Sequence, residues 1–267
     1  MKKIGLIAGK SRYPIILAEE ASRQGFSVVS VGIKGETLPE IEEKVFEMNW
    51  IEVGELGRLV AVFKDAGINK VIMAGGITKE LIFRNDIYLD KNISDVLGAV
   101  KDNKDMSILT AFAHKLKKEG IELMNATTFL NDRLPDKGSL TQRAPNSFEW
   151  EDIKFGWDIA KEIARLDVGM TVVIKNKVVL ALEGIDGTDE TIKRGARLGG
   201  EACVVVKVSR PEQDMRFDLA VVGFSTIETM KKMKASVLAI EAKKTLFIEQ
   251  DKAIEEANNS RISIVAI

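Results

Sequence analysis

The sequence predicts an α/β protein in two parts, a Rossmann-like parallel-sheet domain followed by a mixed α/β domain, on three observations. Short apolar runs alternate with helical segments through the first half, and glycines close the helices. In the second half two apolar runs flank the polar pair Lys175-Asn176, a hairpin pattern that a purely parallel sheet lacks. Between the halves, Asn131 to Ser147 loses periodicity and fills with Asn, Asp, Pro, Gly and Ser. The expected layout is therefore an N-terminal domain over 1–130, a linker over 131–147, and a C-terminal mixed domain carrying catalysis over 148–267.

Each element has its own warrant. Lys3 to Ala8 is an apolar strand, Pro14 to Gln24 a helix stopped by Gly25, and Phe26 to Val31 the next strand. Gly54 to Ala66 is helical up to Gly67, and Lys70 to Ala74 is a strand entering Gly75-Gly76. A helix over Asp105 to Glu119 stops at Gly120 and is followed by a strand over Ile121 to Asn125. Strand–helix alternation of this kind implies parallel pairing with right-handed crossovers. Beyond the linker, Glu151 to Leu166 reads as a helix, Thr171 to Ile174 and Lys177 to Leu182 as the hairpin, and Thr188 as the N-cap of a helix ending near Gly199-Gly200. Ala202 to Val206 is a buried strand. Ser225 and Glu228 have capping-box spacing for the next helix. Strands at Val237 to Ile240 and Thr245 to Ile248, a helix at Asp251 to Asn258 and a strand at Ile262 to Ala266 complete the chain.

Composition narrows the chemistry. Of 267 residues 45% are apolar and 30% charged, which is globular, and a net charge of −1 gives no general field for nucleic acid or an anionic membrane. Met1-Lys2-Lys3 and the apolar run behind it look like the start of a signal peptide, but Gly9, Lys10 and Arg12 interrupt the run, so a cytoplasmic protein is expected. Cys203, the single cysteine, sits among valines as a core thiol. The single histidine, His114, lies in a helical pattern and is read as structural, which removes histidine-rich zinc sites. Any metal must then be held by oxygen, favouring Mg2+ or Mn2+.

Three segments carry candidate chemistry. Ala8 to Pro14 joins the first strand to the first helix at the carboxyl edge of a parallel sheet, where Gly9, Lys10 and Ser11 can meet an anion. Gly75 and Gly76 end another strand at that edge, and the two turns are expected to wall one cleft. Second, Glu183, Asp186 and Asp189 bring three carboxylates to one turn region, beside Gly187 and Thr188, and Glu183 directly follows a buried strand. Third, the Cys203 strand runs into Lys207, Gln213, Asp214, Arg216 and Asp218. If the backbone is extended there, the alternating Asp214, Arg216 and Asp218 face one side, as a phosphate or metal requires.

Taken in order and spacing, Leu6 to Gly9, Val53 to Gly57, Met73 to Gly75, Leu180 to Asp189 and Gln213 to Asp218 make the chain resemble, over nearly its whole length, a family. That family is the UDP-2,3-diacylglucosamine pyrophosphatases of lipid A synthesis, of the type unrelated to calcineurin-like phosphoesterases. The resemblance implies two domains holding substrate between them, and magnesium-dependent hydrolysis to UMP and 2,3-diacylglucosamine 1-phosphate. It also implies water attacking the phosphorus nearer the sugar, and an essential aspartate at Asp214 or Asp218. Lys10 to Tyr13 and Leu219 to Val222 depart from the family's usual residues at the border of the expected site.

The expected catalytic groups are thus Asp214, Asp218, Arg216 and Lys207, with Glu183, Asp189, Asp214 and Asp218 as metal ligands. Gly9, Lys10, Ser11, Gly75, Gly76, Gly187, Thr188 and Gln213 are expected on the substrate, a lipid-linked nucleotide sugar. Peripheral contact with the inner membrane and a homodimer are compatible with this reading, and the oligomeric state is left open. An oxidoreductase or transferase using the first domain as a dinucleotide site would need a glycine fingerprint, which is absent, and an acid such as Glu36, Glu40 or Glu42. A non-catalytic nucleotide-sugar binder would have no use for paired acids facing phosphate.

Overall fold

A computed structural model describes residues 2–78, 87–102 and 104–267. The chain forms two compact units, the first of Met1–Asn131 with Asp214–Asp218 and the second of Asp132–Gln213 with Leu219–Ile267.

The first unit is a five-stranded, wholly parallel sheet in the order β3-β2-β1-β4-β5. Its strands are β1 (Lys2–Ala8), β2 (Phe26–Ile33), β3 (Glu47–Ile51), β4 (Lys70–Ala74) and β5 (Glu122–Leu123). The helices are α1 (Tyr13–Arg23), α2 (Leu56–Asp65), α3 (Lys91–Gly98) and α4 (Asp105–Lys118). Order and direction are those expected of a Rossmann-like domain: the central strand is the first, and crossovers run outward on both sides. Strand β1 is buried from Ile4 to Ala8, as a strand covered on both faces must be. Pro14 opens α1, where its missing N–H costs nothing. The charged stretch containing Glu40 and Glu42 is a 3-10 helix over Pro39–Lys44, followed by the edge strand β3.

The second unit holds a six-stranded mixed sheet, order β6-β13-β11-β9-β7-β8. These strands are β6 (Gly138–Ser139), β7 (Thr171–Lys175), β8 (Val178–Leu182), β9 (Val204–Lys207), β11 (Val237–Ile240) and β13 (Ser263–Ala266). A separate parallel pair joins β10 (Ala220–Val222) to β12 (Thr245–Phe247). The helices are α5 (Ser147–Arg165), α6 (Gly187–Gly199), α7 (Phe224–Lys232) and α8 (Gln250–Asn259). β7 and β8 form the expected antiparallel hairpin, with Asn176 and Lys177 both at positive φ and their N–H groups donating to Asp152. Two apolar layers cover the sheet, one centred on Ile153, Val172 and Val206, the other on Val173, Cys203 and Val205. Cys203 is buried in the second layer, and burial pushes its thiol pKa up, which suits an inert core thiol.

Three local expectations need correction. Helix α5 starts at Ser147, because Asn146 and Glu149 form a reciprocal capping box ahead of the apolar face. Helix α7 starts at Phe224, so Ser225 and Glu228 are not its capping pair; Thr226 Oγ1 instead accepts from Gly223 N–H. Helix α6 starts at Gly187, with Asp186 in the N-cap position, and the Thr188 hydroxyl is committed elsewhere. Residues 132–147 are packed into the second unit: β6 pairs with β13, and Arg143 bonds Ser263 and Glu149.

Candidate functional site

In the first unit the two glycine turns meet directly. Gly9 N–H donates to Ala74 O and Lys10 N–H to Gly76 O, at 2.8 and 2.7 Å. A side chain at Gly9 would stand 2.3 Å from the Gly76 carbonyl oxygen, and one at Gly75 (φ +79°) 2.2 Å from that of Lys10. The glycines are therefore needed for turn-against-turn packing at the carboxyl edge of β1 and β4. Beside them the half-buried Glu36 carboxylate accepts from Thr78 N–H and Oγ1 and lies 3.8 Å from Lys10 Nζ. A dinucleotide site would need that carboxylate for a ribose; here it ties the β2 and β4 loops together. Ser11 adopts φ +78° and its hydroxyl accepts from Tyr13 N–H.

The segment Asp214–Asp218 belongs to this unit too. Phe217 is 1% exposed within its core, and Met215 O accepts from Ala126 N–H. The extended conformation expected here is not what forms. The residues make a turn in which Asp214 Oδ1 accepts from Arg216 N–H, an Asx-type bond that competes with strand pairing. Asp214 and Arg216 are consequently partners, with Oδ2 2.6 Å from Nη2. The Arg216 guanidinium holds the Asp214 carboxyl below its ordinary range, despite some burial. Asp218 takes φ +50°, a left-handed conformation Asp tolerates better than most residues. Its carboxylate lies within 4.8 Å of that of Asp105, the first residue of α4. Asp105 was not anticipated: as an acid opening a helix it is accounted for by the helix dipole alone.

In the second unit Lys207, Glu183 and Thr188 converge. The pairing of Thr171 with Lys207 puts both on the sheet face covered by α6. Lys207 is 3% exposed; its ammonium donates to Thr188 Oγ1 at 2.7 Å and Thr171 Oγ1 at 3.2 Å, and lies 3.8 Å from Glu183 Oε2. Glu183 Oε2 accepts from Met170 N–H and Oε1 from Thr188 Oγ1. Burial pushes the Glu183 carboxyl up, but Lys207 and the Thr188, Met170 and Thr171 donors outweigh it and hold the group below the usual range. Asp189, half-buried in the first turn of α6, is raised by burial, with Lys193 and Lys207 opposing. The third acid, Asp186, is engaged by Arg194, which also caps Leu182 O, so Arg194 is not free for phosphate. Just beyond β9, Arg210 pairs with Asp167 in a bidentate contact to Oδ1, both residues nearly buried. Gln213 closes this stretch, half-buried.

Sequence-expected groups are thus divided: Lys207, Glu183, Asp189, Gly187, Thr188 and Gln213 lie in the second unit, and Asp214, Arg216, Asp218 and the glycine turns in the first. Chemically, the second unit offers one desolvated, fixed positive charge at a strand end. The first offers an Arg–Asp pair and two close carboxylates, an all-oxygen donor set suited to a hard divalent cation. His114 is exposed on α4 and takes no part in either cluster.

Comparison with known proteins matches residues 3–133 to the LpxI N-terminal domain and residues 136–265 to the LpxI C-terminal domain. A protein named UDP-2,3-diacylglucosamine pyrophosphatase LpxI, from Caulobacter vibrioides, is 25% identical over 281 residues, covering 100% of this chain and 98% of its own length. Among solved structures, a nucleoside-diphosphate-sugar epimerase from Pseudomonas aeruginosa overlaps with a TM-score of 0.37 at 11% identity, covering 100% of this chain and 72% of the other. A UDP-glucose-4-epimerase from Stenotrophomonas maltophila, with bound NAD, covers 45% of this chain and 35% of its own at 14% identity and a TM-score of 0.28. Overlaps this loose assign no activity. No helix among the described residues is long and apolar enough to cross a membrane.

Proposed function

The chain belongs to the LpxI family, and from that premise we propose that it is a UDP-2,3-diacylglucosamine pyrophosphatase of lipid A synthesis. Its products are UMP and 2,3-diacylglucosamine 1-phosphate (lipid X), formed by attack of water at the phosphorus nearer the sugar. The observation that carries this is the family match running through both halves of the chain, together with a relative of that name aligned end to end.

A pyrophosphate diester repels an incoming hydroxide, so the protein must supply positive charge and a means of orienting water. Lys207 is suited to stabilise charge on the phosphoryl oxygens because its ammonium is desolvated and fixed by two threonine hydroxyls. Arg216 is the second cationic group, and Asp214 sets its orientation. In the first unit Asp214 and Asp218 are the proposed oxygen donors to magnesium, with manganese as substitute, and Asp105 joins Asp218 in that role; in the second unit the proposed donor is Asp189. Glu183 remains a candidate donor, but with a donor already on each oxygen it serves first as the counter-charge of Lys207. When bound, the divalent ion supplies charge neutralisation and a lowered pKa for water. The glycine turns, with Lys10 and Ser11, are the proposed contact for the nucleotide, and Gly187, Thr188 and Gln213 for the rest of the substrate. We place the protein in the cytoplasm, at the surface of the inner membrane where its lipid substrate resides.

The test is UMP release from UDP-2,3-diacylglucosamine beside plain UDP-GlcNAc, with magnesium varied. Turnover of the acylated substrate that is lost in EDTA and restored by magnesium is expected. Chelator-resistant turnover would remove the metal, and no UMP from either compound would remove the activity.

A further inference from the structure

The chain leaving β9 is held by a second charge cluster, centred on the buried Glu241, that none of the groups above requires. Ser209 lies two residues beyond Lys207 and is fully buried. All three of its polar groups are fixed. Its N–H donates to Glu241 Oε2 at 2.9 Å, its carbonyl accepts from Lys161 Nζ at 2.9 Å, and its hydroxyl donates to Lys244 O at 3.0 Å. Glu241, just after β11, also accepts from Lys161 Nζ at 2.6 Å and pairs with Lys244 Nζ at 3.0 Å. Its own backbone is locked by Thr245, whose hydroxyl accepts from Glu241 N–H and whose N–H donates to Glu241 O. Lys161 comes from α5, with its ammonium over the Trp157 ring at 5.8 Å. Helix α5 and the loop between β11 and β12 therefore converge on one serine.

A neutral side chain could satisfy a buried serine backbone. Burying a carboxylate against ammonium groups is a poor source of stability, because desolvation offsets most of the attraction. What such a cluster does provide is one permitted geometry, since moving Lys161 leaves the buried Glu241 carboxylate with only the more exposed Lys244 to balance its charge. The group whose geometry is so constrained is the peptide next to Val208, and through it the end of β9 that carries Lys207. We infer that Glu241 is a positioning residue for the hydrolysis: with Lys161 it fixes Ser209, and Ser209 fixes where the Lys207 ammonium is presented. This rests on the proposed pyrophosphatase activity for its kinetic readout. Sequence holds part of the signal that marks Glu183, an acid directly after a buried strand (Ile240-Glu241), but without the glycines that flank Glu183.

The test uses the full chain in three forms. Glu241→Gln alone leaves Lys161 without its charge partner and is prone to unfold, so the deciding variant is the double replacement Lys161→Met with Glu241→Leu. This is expected to keep the parent's melting temperature within a few degrees. Its kcat for UMP release should fall at least tenfold with KM changed less than threefold, and amide hydrogen exchange across residues 207–213 should accelerate. Lys161→Arg, which keeps the charge and the reach, should stay within threefold of the parent in kcat. A folded double variant with kcat within threefold of the parent, or with unchanged exchange over 207–213, overturns the positioning role. If the parent itself releases no UMP, the proposed function falls, and the exchange result alone decides whether Glu241 orders this segment.

Discussion

Two ion pairs of the chain, Lys207–Glu183 and Asp214–Arg216, behave as opposites. Lys207–Glu183 is nearly inaccessible, with side chains 4% and 10% exposed, and both partners are further held by threonine hydroxyls and a backbone N–H. Asp214–Arg216 is shorter, at 2.6 Å, yet its side chains are 28% and 41% exposed and only two positions apart in one turn. Distance alone ranks the second pair as stronger. Burial reverses the ranking, because water screens the exposed pair and leaves it little net worth, whereas breaking the buried one strands a charge in a dry interior. The buried pair fixes a geometry; under the proposed function, the exposed pair is the one open to substrate.

The largest effect follows from removing the buried cation. Lys207→Met should cost about 3–5 kcal/mol in urea unfolding, because Glu183 is left uncompensated. UMP release should fall by about 100-fold or more. Replacing both partners by methionine should recover most of the stability and none of the turnover. If the double variant were as unstable as the single, charge stranding would not be the cause.

In the exposed turn the expected loss is one of activity. Asp214→Ala and Asp218→Ala should both give folded protein by circular dichroism, and at least one should lose turnover by orders of magnitude. Normal rates in both would remove this segment from the site.

Acid should separate the pairs as well. The Glu183 carboxyl is held below its ordinary value, so its stabilising contribution is present above the unfolded-state pKa and is lost as pH falls through the lower folded value. The melting temperature of the parent should therefore drop more steeply below about pH 4.3 than that of Glu183→Gln. Parallel curves would mean Glu183 is not the ionised partner of Lys207. The smallest effect belongs to Arg216→Met, expected to change unfolding free energy by under about 1 kcal/mol. A loss matching that of Lys207→Met would abolish the contrast.

How much of this the residues disclose depends on which physical signal dominates locally. Strands β4 and β11 stand at the residues their apolar runs mark, and the β7–β8 hairpin turns at Asn176, where the side chain favours positive φ. Strand β3 escapes because Glu47-Met48-Asn49-Trp50-Ile51 is a half-exposed edge without the apolar run of its neighbours. Strand β10 escapes because three residues are too few to show a period. Alternating Asp214, Arg216 and Asp218 mimic a strand's period, yet the Asp214 side chain bonds the backbone two residues on and makes a turn. Thr188 carries a capping residue's chemistry, but Lys207 and Glu183 claim its hydroxyl. Asp105 could not be paired with Asp218 from spacing, since only the folding of Asp214–Asp218 into the first unit brings them together.

If the protein hydrolyses a diphosphate, turnover in H2 18O marks the phosphorus that water attacks. Mass spectrometry of the products should find one 18O in 2,3-diacylglucosamine 1-phosphate and none in UMP. Label in UMP would put the attack on the other phosphorus, and unlabelled products would contradict water as the nucleophile altogether.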